Sequence, residues 1–90
     1  MSSQKKKVIE VIEVTTPTCG QCKMIAPRVK ALMNSCIGVK FTEVDGTKNP
    51  ELCKKYGISK VPVFIVKYDD GTDCAMKDGN VLRLKKVLEL

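Results

Sequence analysis

The tetrapeptide CGQC, residues 19–22, lies between a stretch typical of a strand and a stretch typical of a helix. Residues 8–15 (VIEVIEVT) are rich in β-branched side chains and contain neither Gly nor Pro, which predicts a β-strand. From residue 20 to about residue 35, apolar side chains recur at spacings of three and four, which predicts a helix. The two cysteines are therefore expected at a strand-to-helix junction, on the first turn of the helix.

The position of each cysteine in that turn predicts its role. Backbone N–H groups without partners and the positive end of the helix dipole stabilise a thiolate, which is the reactive form of cysteine. Cys19 comes first and is nearer to solvent, so we expect it to be the nucleophile that attacks a disulfide. Cys22, about one turn further inside, is expected to resolve the mixed disulfide. The pair therefore predicts a dithiol–disulfide redox site.

Length and composition limit the class of protein. Ninety residues predict one domain with a modest core, in which residues 1–7 form a flexible basic N-terminus. No stretch approaches the ~20 apolar residues of a membrane span, and the basic start lacks the apolar region of a signal peptide. Five cysteines, of which only two have motif spacing, fit a reducing cytosol. We therefore expect a cytoplasmic monomer that has no membrane partner.

The charged and aromatic residues exclude several kinds of site. The chain carries 16 basic and 10 acidic residues, a net charge of +6, and no His. The absence of His excludes Cys–His and Ser–His catalysis, and zinc would need a second close pair of ligands, so no metal or other cofactor is expected. The basic residues are spread along the chain, and two Tyr and two Phe form no stacking platform, so no nucleic-acid partner is expected.

The remaining pattern predicts an α/β fold. The predicted elements are strand 8–15, helix 20–35, strand 38–44, helix 50–56, strand 62–68, strand 73–77 and helix 80–89. Residues 69–72 (DDGT) predict a hairpin turn. A parallel pair with a right-handed crossover and then antiparallel strands give a four-stranded mixed sheet with helices on both faces. Chemistry is expected at the carboxyl ends of the strands, where Cys19 and the start of the strand at 62 lie.

Two blocks of sequence resemble the thioredoxin family. Residues 19–27 (CGQCKMIAP) resemble the family's CGPCKMIAP segment, with Gln21 in place of proline. Residues 49–50 (NP) and 55–62 (KYGISKVP) resemble its NP…KYGI..P segment. The resemblance covers about residues 8–68 and implies a minimal thioredoxin fold (βαβαββα), without the strand and helix that precede the first strand in thioredoxins. It also implies a thiol–disulfide oxidoreductase that reduces protein disulfides.

The resemblance assigns roles around a reversible Cys19–Cys22 disulfide. Pro62 matches the family's cis-proline that faces the disulfide, and Val61 matches a backbone contact for extended substrate. The alternative is an ordinary trans proline at the start of an edge strand. The residues expected to bind substrate are Thr18, Gly20, Gln21, Val61 and Pro62.

Glu13 lies six residues before Cys19, where thioredoxins place a buried acid that accepts a proton from the resolving cysteine. A buried carboxyl group has a raised pKa and can take a proton near neutral pH. The alternative is an exposed glutamate like Glu10, and the two cannot face the same way because their parity along the strand differs. The lysine that thioredoxins set near this acid has no obvious counterpart, and Phe41 falls close to its place.

Other features keep two alternatives open. Thr18 replaces the family's tryptophan, and residues 17–19 (PTC) and 61–65 (VPVFI) are also similar to glutaredoxins. A glutathione-dependent glutaredoxin-like enzyme is therefore one alternative, and a non-catalytic thioredoxin-fold binding module is another. The expected partners are disulfide-containing proteins and an electron donor that is thioredoxin-reductase-like or based on glutathione. The three remaining cysteines, Cys36, Cys53 and Cys74, are expected to be small buried residues.

Overall fold

The computed structural model describes residues 7–89. Its elements are β1 (Val8–Thr15), α1 (Gly20–Asn34), β2 (Lys40–Asp45), α2 (Pro50–Tyr56), β3 (Val63–Tyr68), β4 (Asp73–Met76) and α3 (Val81–Val87). A short 3-10 helix, Gly46–Lys48, leads from β2 into α2. The predicted order βαβαββα is confirmed. The main differences are that β2 begins at residue 40 rather than 38 and that α3 ends at residue 87 rather than 89.

The strands form one four-stranded sheet in the order β2-β1-β3-β4. β1 pairs with β2 in parallel and with β3 antiparallel, and β3 and β4 form an antiparallel hairpin. Gly71 turns this hairpin at a φ of 89°, a backbone conformation that favours glycine. The predicted mixed sheet is confirmed, and β1 occupies its interior next to β3.

Each face of the sheet carries its own apolar cluster. α1 and α3 cover one face, where Val11, Val29 and Leu84 belong to the same buried cluster. α2 lies over the other face, where Leu52 and Tyr56 pack against the buried cluster that contains Val14. Because Val11 and Val14 have opposite parity on β1, they point to opposite faces. The prediction of helices on both faces is therefore confirmed.

The start of the described chain is held against the hairpin. Lys7 donates its backbone N–H to Oδ1 of Asp69 at 3.3 Å, and Asp69 donates its own N–H to the Lys7 carbonyl at 2.8 Å. The rest of the predicted flexible N-terminus, residues 1–6, lies outside the described residues. Within residues 7–89 no helix is long and apolar enough to cross a membrane.

The expectation that the three remaining cysteines are buried is wrong for Cys74. Its side chain is exposed, whereas Cys36 and Cys53 are half-buried. Cys74 lies in β4, one of the two edge strands of the sheet, which has a neighbouring strand on one side only. Alternation along a strand indicates which face a side chain is on, but it does not indicate whether a helix extends over that point.

Candidate active site

The two cysteines of the CGQC motif are joined by a disulfide at the N-terminus of α1. Cys19 is the N-cap residue, with φ −79° and ψ 104°, so it directly precedes the helix rather than lying within the first turn. Cys22 donates its backbone N–H to Sγ of Cys19 at 3.0 Å. The chain reaches this position through residues 16–19, where Cys19 donates its N–H to the Thr16 carbonyl at 3.2 Å.

The two sulfur-bearing residues differ in exposure. Cys22 is buried, with 5% of its surface exposed, whereas Cys19 is half-buried. No acidic residue lies in the first turn of α1 to oppose the positive end of the helix dipole. When the disulfide is reduced, a thiolate on Cys19 is stabilised by a hydrogen bond from the Cys22 N–H and by the positive end of this dipole. The geometry therefore offers an accessible stabilised thiolate and a shielded second thiol.

The loop before β3 lies against the disulfide. The Val61 carbonyl oxygen is 3.9 Å from Sγ of Cys19, and the peptide bond between Val61 and Pro62 is cis. Pro62 is buried, whereas Val61 is half-buried. Together they form the wall of the site opposite α1.

An exposed surface surrounds the two cysteines. Thr18, Gly20 and Gln21, which were expected to bind substrate, are all exposed next to Cys19. Met24, within the CGQCKMIAP block, is 79% exposed. An exposed methionine on this helix adds an adaptable apolar contact near the disulfide.

Gly79 is a site residue that the sequence reasoning missed. It has a φ of 60°, and a Cβ placed on it would lie 2.7 Å from Cγ and 2.9 Å from the carbonyl oxygen of Pro62. Only glycine lets the chain approach the Pro62 loop so closely. The available signal was Gly79 next to Asn80, whose side chain caps α3, because a glycine in such a turn marks a positive φ or a close approach.

We expect Gly79→Ala to lower the free energy of unfolding by about 2 kcal/mol or more, because it combines a left-handed backbone with a clash. It should also slow disulfide reduction, because the displaced Pro62 carries the Val61 carbonyl that faces Cys19. Urea unfolding and an activity assay measure the two effects. Gly71→Ala is the matched control, since Gly71 also has a positive φ but nothing within 4 Å of a Cβ. Equal losses in both variants would contradict a role for the Pro62 contact.

Glu13 is buried on the face of the sheet that α1 and α3 cover. It has 2% of its surface exposed and shares the β1 face of Val11, and Oε2 has no hydrogen-bond partner in the described part of the chain. Burial, and then the charge of Glu43, raise the pKa of Glu13 from 4.5 to about 7. The pairing of β1 with β2 places Glu43 opposite Glu13 and Phe41 opposite Val11. The register partner of Glu13 is therefore a second acid, and Phe41 lies two residues along β2 on the same face.

The fold and this site define a thioredoxin-fold protein with a CXXC disulfide. Among residues 7–89, no group of three or more His, Cys, Asp or Glu side chains is arranged to hold a metal ion. The Cys19–Cys22 disulfide supports thiol–disulfide exchange as the chemistry of this site.

Comparison with known proteins gives the same class. The family model described as Thioredoxin matches residues 2–89, so the chain belongs to the thioredoxin family. It is 36% identical to thioredoxin-1 of Caenorhabditis elegans over 62 residues, which is 69% of this chain and 54% of that protein. It is 36% identical to protein disulfide-isomerase A3 of Gallus gallus over 70 residues, which is 77% of this chain and 14% of that protein.

The fold likeness extends over most of the chain. The crystal structure of Fasciola hepatica thioredoxin superposes with a TM-score of 0.75 and 28% identity, covering 94% of this chain and 81% of the other. The matched curated relatives are longer than the matched region, since the chain spans only about half of the nematode protein.

Proposed function

We propose that this protein is a thiol–disulfide oxidoreductase that reduces disulfides in proteins. One observation carries the proposal: an accessible Cys19 sulfur at the N-terminus of α1 is disulfide-bonded to the buried Cys22. Membership of the thioredoxin family supports it. The Val61 carbonyl beside Cys19 supports it further, because a backbone group there can bind an extended substrate chain next to the sulfur.

In the first step the Cys19 thiolate attacks one sulfur of a substrate disulfide. A bond forms between Cys19 Sγ and that sulfur, and the second substrate sulfur leaves as a thiolate. The Cys22 N–H, 3.0 Å from Cys19 Sγ, stabilises the attacking thiolate before the step. The contact surface for the substrate surrounds Cys19 and consists of Thr18, Gly20, Gln21, Val61 and Pro62.

In the second step Cys22 loses its proton and attacks Cys19 Sγ. The Cys19–Cys22 disulfide forms, and the remaining substrate sulfur leaves as a thiolate, so the substrate has gained two electrons. Glu13 is the proton acceptor in this proposal, because its carboxyl group is buried on the face that α1 covers and its pKa of about 7 suits a base near neutral pH. A dithiol donor then returns the pair to the reduced state.

The proposal includes a reducing compartment and a protein donor. Three cysteines, Cys36, Cys53 and Cys74, are free in the structure, which fits a reducing compartment such as the cytoplasm. The protein is further proposed to be a monomer. The donor is proposed to be a reductase of the thioredoxin-reductase kind, and glutathione is the competing source of electrons. No membrane or nucleic-acid partner is part of the proposal.

A turnover assay tests this function. Insulin is supplied as a disulfide substrate, with NADPH and either thioredoxin reductase or glutathione plus glutathione reductase. NADPH consumption that depends on the protein and on thioredoxin reductase supports the proposal, whereas dependence on glutathione alone supports a glutaredoxin-like enzyme. No NADPH consumption with either donor, together with no acceleration of insulin reduction by dithiothreitol, would indicate a non-catalytic binding module. The redox potential of the pair, equilibrated against dithiothreitol, adds a second readout, and a value of about −270 mV fits a reductase-fed protein.

A further inference from the structure

We propose that Glu43 is a positioning residue for the reaction: its exposed carboxylate, on β2 opposite the buried Glu13 of β1, strengthens Glu13 as the base that acts on Cys22. The inference rests on the proposed function of the Cys19–Cys22 pair. It assigns Glu43 no contact with the substrate or with the reacting sulfurs.

Strand pairing places the two carboxyl groups side by side. In the parallel pairing of β1 and β2, Glu13 is the register partner of Glu43. Neighbouring strands lie about 4.8 Å apart, and paired residues point to the same face of the sheet. Glu13 is buried with 2% of its surface exposed, whereas Glu43 is exposed on the outer strand. A solvated charge therefore lies directly beside a desolvated carboxyl group.

Within residues 7–89, the other elements packed on this face bring no opposite charge to Glu13. β3 presents Phe64 as its register partner, and α3 and α1 contribute Leu84 and Val29 to the apolar cluster on this face. Cys22, buried in the first turn of α1, is held in the disulfide and carries no charge. On β2, Asp45 shares the parity of Glu43 but accepts hydrogen bonds from Thr47 with its carboxylate. The basic residues of α1 and α3 are exposed, and they are Lys23, Arg28, Lys30, Arg83, Lys85 and Lys86.

The electrostatic consequence has a definite sign. Burial disfavours the charged form of Glu13, and the like charge of Glu43 disfavours it further, so both raise the pKa of Glu13. A carboxylate with a higher pKa is a stronger base, but it is available only above that pKa. In a plot of the rate of the resolving step against pH, Glu43 should therefore have two effects. It should move the rise on the acidic side, the acidic limb, to higher pH, and it should increase the constant rate that is reached above that rise.

The test uses the full-length protein with Glu43→Gln and Glu43→Lys. Glu43 is exposed, so neither change removes a core contact, and Glu51→Gln is the matched control because it removes one exposed negative charge from α2 on the other face. NMR titration of the side-chain carboxyl carbons gives the Glu13 midpoint in the oxidised protein. Rapid mixing of the reduced protein with a disulfide substrate gives the rate of substrate release against pH.

We expect Glu43→Gln to lower the Glu13 midpoint and the acidic limb together by about 0.5 to 1 pH unit, Glu43→Lys to lower both further, and Glu51→Gln to change neither. An unchanged midpoint in both Glu43 variants would overturn the inference. So would a midpoint that moves while the acidic limb stays in place, because the coupling would then have no part in the reaction. A wild-type protein that releases no reduced substrate at any pH would instead refute the proposed function itself.

Discussion

Replacing Cys19 by Ser should abolish disulfide reduction, leaving only the rate that dithiothreitol gives alone, a fall of about 10³-fold or more. Cys19 is the half-buried member of the pair and the one that faces the Val61 carbonyl, so no other sulfur can replace it at that position. A serine hydroxyl at the helix N-terminus is not ionised near neutral pH and does not attack a disulfide. Insulin reduction measured against dithiothreitol alone gives the result.

Cys22→Ser should give a different outcome from Cys19→Ser. The accessible Cys19 remains and attacks the substrate, but the buried group that would release it is missing. The mixed disulfide should therefore accumulate as a stoichiometric adduct, which intact-mass spectrometry detects as the sum of the two chains. Cys74→Ser is the matched control, because Cys74 is exposed and lies on an edge strand, outside the site.

The assignment of roles depends on the contrast between these variants. An adduct that forms on Cys19→Ser rather than on Cys22→Ser would reverse the roles of nucleophile and resolving thiol. Full activity in both variants would remove the pair from the reaction altogether. A loss of activity in Cys74→Ser would place a reacting sulfur at the hairpin, where no part of the described site lies.

The elements of this fold can be predicted from sequence because each depends on a local pattern. The β-branched run of β1, the helical spacing of α1 and the turn at residues 69–72 are each determined within a short window. The CGQC motif is equally local, since it lies between the first two of these patterns. The sheet order and the position of the motif then follow from the rule for parallel crossovers.

The rest of the site depends on pairs that are distant in the chain. Glu43 is opposite Glu13 only because β2 pairs with β1 in one register, and a shift of two residues would have put Phe41 there instead. Gly79 meets Pro62 through the approach of two loops that no periodicity describes. Nor does the pattern of β4 show that Cys74 lies beyond the cover of the helices. Register, loop approach and helix coverage are tertiary properties.

Replacing Glu13 by Gln should stabilise the protein at pH 8 by up to about 3 kcal/mol, since each pH unit between the folded and unfolded pKa values corresponds to about 1.4 kcal/mol. The pKa of Glu13 is about 7 in the folded protein, against an ordinary value of 4.5. The folded state therefore binds the proton more tightly than the unfolded state does, and the wild-type protein loses stability as the pH rises from about 4.5 to about 7. A glutamine side chain cannot be ionised, so the Glu13→Gln variant does not have this loss.

Urea unfolding of the oxidised proteins at pH 4 and pH 8 measures the effect. The two proteins should differ little at pH 4, where Glu13 is largely protonated in both states, and the difference should appear at pH 8. Glu51→Gln, which removes an exposed carboxylate, should differ from wild type by a similar small amount at both values. A Glu13→Gln difference that does not change with pH would mean that Glu13 titrates in the ordinary range. A Glu13→Gln variant that is more stable at pH 8 but resolves the mixed disulfide more slowly would show that Glu13 destabilises the fold and serves the reaction. The buried acid would then be explained by its function and not by its contribution to stability.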